Sequence, residues 1–369
     1  MLKGVKLSDQ VIIIVLTVAC ASLFFGIEWG DSRLYVQLTR YYLGAADVRG
    51  VEWIFALRPL IPLLAAPLAA FLRAPIAYGI LGTAFWVLSG MLMYRITLHV
   101  TGSRQQALAA ALLFATSLPT LLFFGSMLLE PGYTFFGLLI LYTYLRLQDK
   151  LSKTSSLLAG ALVGVGVLSK EMTLHVVASI LLQGIVAHRI KRTFIWILLL
   201  IVPSIIWQGY VTLTYGKNYW ALLVALLGVA RQQYGAGLYA TMMEVINMLK
   251  LLAWAHFPLA TICSIVGFLS LNDRERNLTF YSLLLPALGA YILCPHSEIR
   301  MGVVTYYATM PLAGIGLDHA VRSLCQKPLI SRVEPRVIWT AFYLLQIVVS
   351  ITYAYKCLRA FSPLWNPLA

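Results

Sequence analysis

Apolar runs close to or above the ~17–25 residues that a helix needs to cross a bilayer recur along the chain. They lie near 11–27, 76–98, 106–124, 132–145, 157–169, 173–187, 194–214, 248–270, 278–294, 301–317 and 337–355. The shorter ones are interrupted by Gly or Pro, which membrane helices tolerate where neighbours re-satisfy the freed backbone groups. The pattern predicts an all-α polytopic membrane protein of about eleven transmembrane helices.

Two stretches between runs are patterned differently. In the first loop, 28–75, "SRLYVQLTRYYLGA" sets Leu34, Leu38 and Tyr41 or Tyr42 at helical spacing, with Arg33, Gln37 and Arg40 on another face. This predicts an amphipathic helix lying along the membrane surface. The following "VEWIFALRPLIPLLAAPLAAFL" holds Pro59, Pro62 and Pro67 and is predicted to be juxtamembrane or re-entrant. A second amphipathic outer segment is expected over 215–247, where Arg231, Gln232, Gln233 and Tyr234 can face an outer cavity or solvent. Trp53 and the loop tyrosines also suit an interfacial aromatic belt. The expected organisation is one transmembrane domain over 1–369 with no large soluble domain.

Composition agrees, since 60% of residues are hydrophobic and only 11% charged, far below the charged share of soluble domains. Lys3, Lys6 and Ala19-Cys20-Ala21 imitate a cleavable signal, but the apolar runs behind them favour an uncleaved anchor. A net charge of +14 would suggest nucleic acid in a soluble chain. Here 16 of the 28 basic residues fall in short loops on one side if the N-terminus is cytoplasmic, as the positive-inside rule asks. Membrane lipids, not nucleic acid, are the expected partners of these charges. Five cysteines, none spaced as C-x-x-C, indicate neither a disulfide framework nor a zinc site.

The acids sort more informatively. Four of the 14, Glu28, Asp31, Asp47 and Glu52, lie in the first outer loop, and Glu130, Glu171 and Glu298 each stand at a turn between apolar runs. A carboxylate at a helix end near the interface is costly unless solvated, paired or functional. Several brought together by packing would make one polar site. Asp31 also reads as a helix cap or as a partner of Arg33.

Four stretches carry a resemblance to the GT-C superfamily of integral-membrane glycosyltransferases. "GDSRLYVQL" is similar to the family's first-loop acid motif, and "VEWIFALRPLIPLL" to the tryptophan-then-arginine-proline region of its mannosyltransferase branch. "GVGVLSKEMTL" resembles a common fifth-span ending, and "PHSEIRMGVVTYYATMPLAGIGL" a later motif of the same branch. Ser297 and Met301 depart from that branch. The resemblance implies transfer of a sugar from a polyprenyl-phosphate-linked donor to a glycan, lipid or protein acceptor, with inversion at the anomeric carbon. It makes Asp31 the general base and assigns Trp53, Arg58, Lys170, Glu171, His296, Glu298 and Arg300 to the matched motifs.

The chemistry fits those residue types. A sugar hydroxyl is a poor nucleophile and gains from a carboxylate that takes its proton, while a departing phosphate gains from fixed cations. Arg58, Lys170, Arg231 and Arg300 are the candidate clamp, with His296 as a further donor. Glu28 stands one helical turn before Asp31, and Glu130 is expected to bind acceptor hydroxyls or a divalent cation together with Asp31. No metal is required for a monophosphate leaving group, though Mg²⁺ or Mn²⁺ would suit these carboxylates. The active site is expected on the non-cytoplasmic face. The rival expectation, a transporter or flippase of an amphipathic solute, calls for broken helices in paired halves, and the sequence shows no such symmetry.

Overall fold

A computed structural model describes residues 6–25, 31–45, 56–126, 128–147, 154–217, 238–256, 259–271, 274–292, 299–328, 330 and 333–361. Among the described residues all regular structure is helical. In chain order the helices are α1 (Leu7–Leu23), α2 (Ser32–Tyr42), α3 (Leu60–Ala69), α4 (Ala74–Thr101), α5 (Arg104–Ala115), α6 (Leu118–Phe123), α7 (Glu130–Leu147) and α8 (Thr154–Gly164). They continue with α9 (Leu174–Val186), α10 (Ile190–Tyr215), α11 (Leu238–Ala255), α12 (Leu259–Leu269), α13 (Arg274–Ile292), α14 (Tyr306–Cys325) and α15 (Pro335–Phe361). Short 3₁₀ turns occupy Val165–Ser169, Glu171–Thr173 and Ile299–Thr305.

Three of these, α4, α10 and α15, are long and apolar enough to cross a membrane, or four with α11 and α12 taken as one bent span. Their surroundings explain why the chain needs lipid. Ile206 and Leu213 on α10 are 69% and 90% exposed, a greasy surface that water would not tolerate and acyl chains would. The protein is an integral membrane protein. The run expected as one span over 248–270 is instead divided, its two helices meeting at 102°. Pro258 lies between them in the sequence, and proline cannot donate to a continuing helical ladder.

The interior is aromatic where helices cross and glycine-lined where they touch. Phe114 packs edge-on against both Phe124 and Tyr306, and Trp86 edge-on against Phe124, all four buried. Between α12 and α14 the backbones meet directly. A Cβ on Gly316 would strike the Cys263 carbonyl oxygen, and one on Gly267 the Leu312 carbonyl oxygen, the small-residue approach that lets membrane helices gain dispersion energy. Gly316→Ala is therefore expected to cost about 1–3 kcal/mol or more, because backbone cannot yield as a side chain can. Thermal unfolding in detergent checks this, and an unchanged midpoint would refute it.

In the first turn of α1, Asp9 is buried and held by Arg104 at the start of α5, while Tyr94 of α4 donates to its Oδ2 at 2.8 Å. Cys20, Cys263, Cys325 and Cys357 are free thiols, and Cys294 lies outside the described residues.

Candidate active site

Glu130 opens α7, where a carboxylate meets the positive end of the helix dipole. The next residues are Pro131, suited to a first turn, and Gly132, whose missing side chain admits Ile61 of α3 against the backbone. That close approach seats α3, and with it the preceding Arg58, over the start of α7. Lys170 sits between two 3₁₀ turns with an extended backbone, φ −168° and ψ 147°. Where the helix gives way, the Gly164 backbone lies against the Leu199 carbonyl and Gly166 against Phe136, while Ser169 donates to the Gly166 carbonyl at 2.6 Å.

The outcome is a sealed ion pair. Lys170 Nζ donates to Glu130 Oε1 at 2.9 Å, with the two side chains 3% and 1% exposed. The ammonium also lies 5.2 Å from the Tyr133 ring centroid, a cation–π contact supplied three residues along α7 from its carboxylate partner. Neither charge could be buried alone.

The second half of the site comes from α2 and the segment before α3. Tyr35, 2% exposed, accepts a hydrogen bond from Arg58 Nη1 at 3.3 Å. Burial pushes its phenol up from the usual value. The Arg58 guanidinium opposes that rise, while Glu130 and Asp31 add to it, so Tyr35 lies in the field of both carboxylates. Tyr35 is fixed through its helix, since Thr39 donates to the Tyr35 carbonyl at 2.9 Å and Tyr78 of α4 reaches Thr39 Oγ1 at 2.9 Å.

Asp31 stands at the N-cap of α2, but its side chain makes no capping bond. Only its carbonyl serves the helix, accepting from Leu34 and Tyr35 N–H at 3.1 and 3.3 Å, so the cap explanation of this carboxylate does not hold. Asp31 and Arg58 are half-buried, unlike the Glu130–Lys170 pair.

Four of the residues expected at the site thus share one region. Glu28, Arg231, His296 and Glu298, with Trp53, lie outside the described residues, as do the side chains of Glu171 and Arg300. Among the described residues no three His, Cys, Asp or Glu side chains gather as a metal site. Tyr35 and Tyr133 were not anticipated. Their signal was positional: Tyr133 is at i+3 from Glu130, and Tyr35 shares a face of α2 with Leu38. The buried side of α2 is Ser32, Tyr35, Leu38 and Thr39, a rotation from the expected face, in which Leu34 and Tyr41 are only half-buried. Packing against Tyr78 selects this face, and hydrophobicity alone could not.

The helical architecture has the same fold as an archaeal membrane oligosaccharyltransferase. The chain is similar to the archaeal oligosaccharyltransferase AglB from Archaeoglobus fulgidus in complex with an inhibitory peptide and a dolichol-phosphate, at a TM-score of 0.58 and 13% identity over 94% of this chain and 55% of that one. It is similar also to the apo form of the Archaeoglobus fulgidus oligosaccharyltransferase, at 0.58 and 14% over 98% and 56%. To the form with Zn and sulfate the values are 0.57 and 14% over 93% and 53%. The chain spans about half the length of these oligosaccharyltransferase chains, and at this identity the likeness is one of fold. No family model matches the sequence, and no curated protein does.

Proposed function

We propose that this protein is an inverting glycosyltransferase that moves a sugar from a polyprenyl-phosphate-linked donor to an acceptor hydroxyl at the non-cytoplasmic face of a membrane. The observation that carries the proposal is the pairing of two reachable groups, Asp31 and Arg58, with a sealed Glu130–Lys170 pair on a fold shared with that oligosaccharyltransferase. Asp31 accepts the acceptor's hydroxyl proton as the new C–O bond forms at the anomeric carbon. The old bond to phosphate oxygen breaks, its electron pair stays with the phosphate, and Arg58 donates to the charge that grows there. Glu130 is engaged by Lys170 and 1% exposed, so it is a poor candidate for a covalent nucleophile, which supports single displacement and inversion. Mg²⁺ or Mn²⁺ is not required by this scheme and can be added to the same assay.

The neighbour's dolichol-phosphate supports a polyprenyl-linked donor, and its peptide supports a peptide among the glycan, lipid and protein acceptors. A multi-pass topology of about eleven spans, with a cytoplasmic N-terminus, completes the proposal. Its test is incubation of the purified protein with radiolabelled polyprenyl-phosphate sugars and a search for label on an acceptor. Label that crosses the bilayer still attached to its lipid would favour the flippase alternative, and label that never leaves the lipid would refute the transferase. Within the assay, Arg58→Gln is expected to raise the donor KM about 10- to 100-fold, the worth of a charged hydrogen bond; an unchanged donor KM would remove Arg58 from the clamp.

A further inference from the structure

Beside the charged cluster, between α2 and the outer end of α10, lies a cleft of about 420 Å³ whose walls include Leu38, Tyr41, Tyr42, Trp207, Tyr210 and Tyr215. It continues the site on both sides. Leu38 and Tyr42 follow Tyr35 along one face of α2, about 5 and 10 Å further along the helix axis. On the other wall Trp207 Nε1 donates to the Ala56 carbonyl at 2.8 Å, two residues before Arg58. The Trp207 and Tyr210 rings lie 4.9 Å apart, tilted by 38°, and the Tyr41 and Tyr42 rings 5.5 Å apart. Tyr210 is 43% exposed, so the rings are reachable. The Tyr42 phenol is pushed up by burial and then by Tyr41, Tyr210 and Tyr215, which line the same cleft.

The wall chemistry selects the occupant. A polyprenyl tail needs aliphatic walls, and Leu38 and Ala56 are the aliphatic side chains lining this cleft. Five aromatic rings, four of them phenols, instead match a pyranose: its C–H face carries slight positive charge and stacks on the negative face of a ring, while its hydroxyls meet the phenols. An interfacial belt would project such rings outward toward headgroups, whereas these line a hollow.

We infer that this aromatic cleft binds a sugar ring of a carbohydrate acceptor and leads it toward Asp31. The inference names an acceptor class for the proposed glycosyltransferase and rests on it for the direction of transfer, but not for carbohydrate binding itself. The test is calorimetric titration of the full-length protein in nanodiscs with manno-, gluco- and chitohexaose. Saturable binding of at least one hexaose is expected, weakened about tenfold in Tyr210→Ala and in Tyr42→Ala and retained in Asp31→Asn. With that hexaose as acceptor, Tyr210→Ala should raise its KM about tenfold while leaving the donor KM in place. Binding in a wild-type protein that transfers no sugar would leave the cleft standing and remove the transferase. The cleft proposal falls if no hexaose binds, or if both variants, shown folded by their unfolding midpoints, bind as the wild type does. It falls too if sugar-free polyprenyl phosphate competes with the hexaose and loses affinity in the same variants.

Discussion

Asp31→Asn is expected to lower sugar transfer by about 10²- to 10⁴-fold, the usual contribution of a positioned general base, while leaving the unfolding midpoint near that of the wild type. The two effects separate because of how the residue is held. The start of α2 depends on the Asp31 carbonyl, and its side chain makes no capping bond, so the isosteric amide leaves the helix start in place. An amide cannot take the acceptor's proton. Donor binding should be little changed, since the cation proposed to meet the phosphate is Arg58. Transfer measured at saturating donor and acceptor, beside an unfolding curve, decides the matter: wild-type turnover in Asp31→Asn would take the base role away from this residue.

Lys170→Met is expected to destabilise the protein by about 3–5 kcal/mol, because it leaves the Glu130 carboxylate buried with its principal countercharge gone. The reverse single change, Glu130→Leu, strands the ammonium and should cost a similar amount. Combining them removes both charges, and the double variant should recover most of the lost stability, since an apolar pair of similar volume often replaces a buried ion pair without loss. A double-mutant cycle gives the coupling directly. Transfer by the double variant is expected to stay at least several-fold down even though it is folded, because Tyr35, which accepts a hydrogen bond from Arg58, lies in the field of Glu130 and would lose it. A Lys170→Met protein as stable as the wild type would show that the pair does not hold this region together.

The candidate residues and their gathering into one polar site are legible in the sequence, but not which of them pair. Glu130 stands out as an acid at the end of an apolar run, while Asp31, Arg58 and Lys170 are marked chiefly by the family resemblance of the stretches that hold them. That Lys170 faces Glu130, 40 positions away, has no trace in periodicity, which reports which face of a helix is buried but not what covers it. Tyr35 is hidden from the sequence for a related reason: the amphipathic pattern of α2 admits more than one face, and the bond between Thr39 and Tyr78 chooses between them. The division of the 248–270 run coincides with Pro258 in the sequence, whereas the 102° angle between its halves has no counterpart in the apolar pattern.

What the sequence alone determined is the solvent and the element type. Runs this apolar must leave water, and in lipid a backbone has to satisfy its own hydrogen bonds, so each run becomes helix whatever its neighbours are. Which carboxylates are sealed and which are reachable was decided by tertiary structure. Burial of a charge depends on the ring, cation or backbone brought against it from distant positions, and those approaches hang on contacts such as Gly132 against Ile61 and Gly164 against Leu199, which form only when the helices assemble.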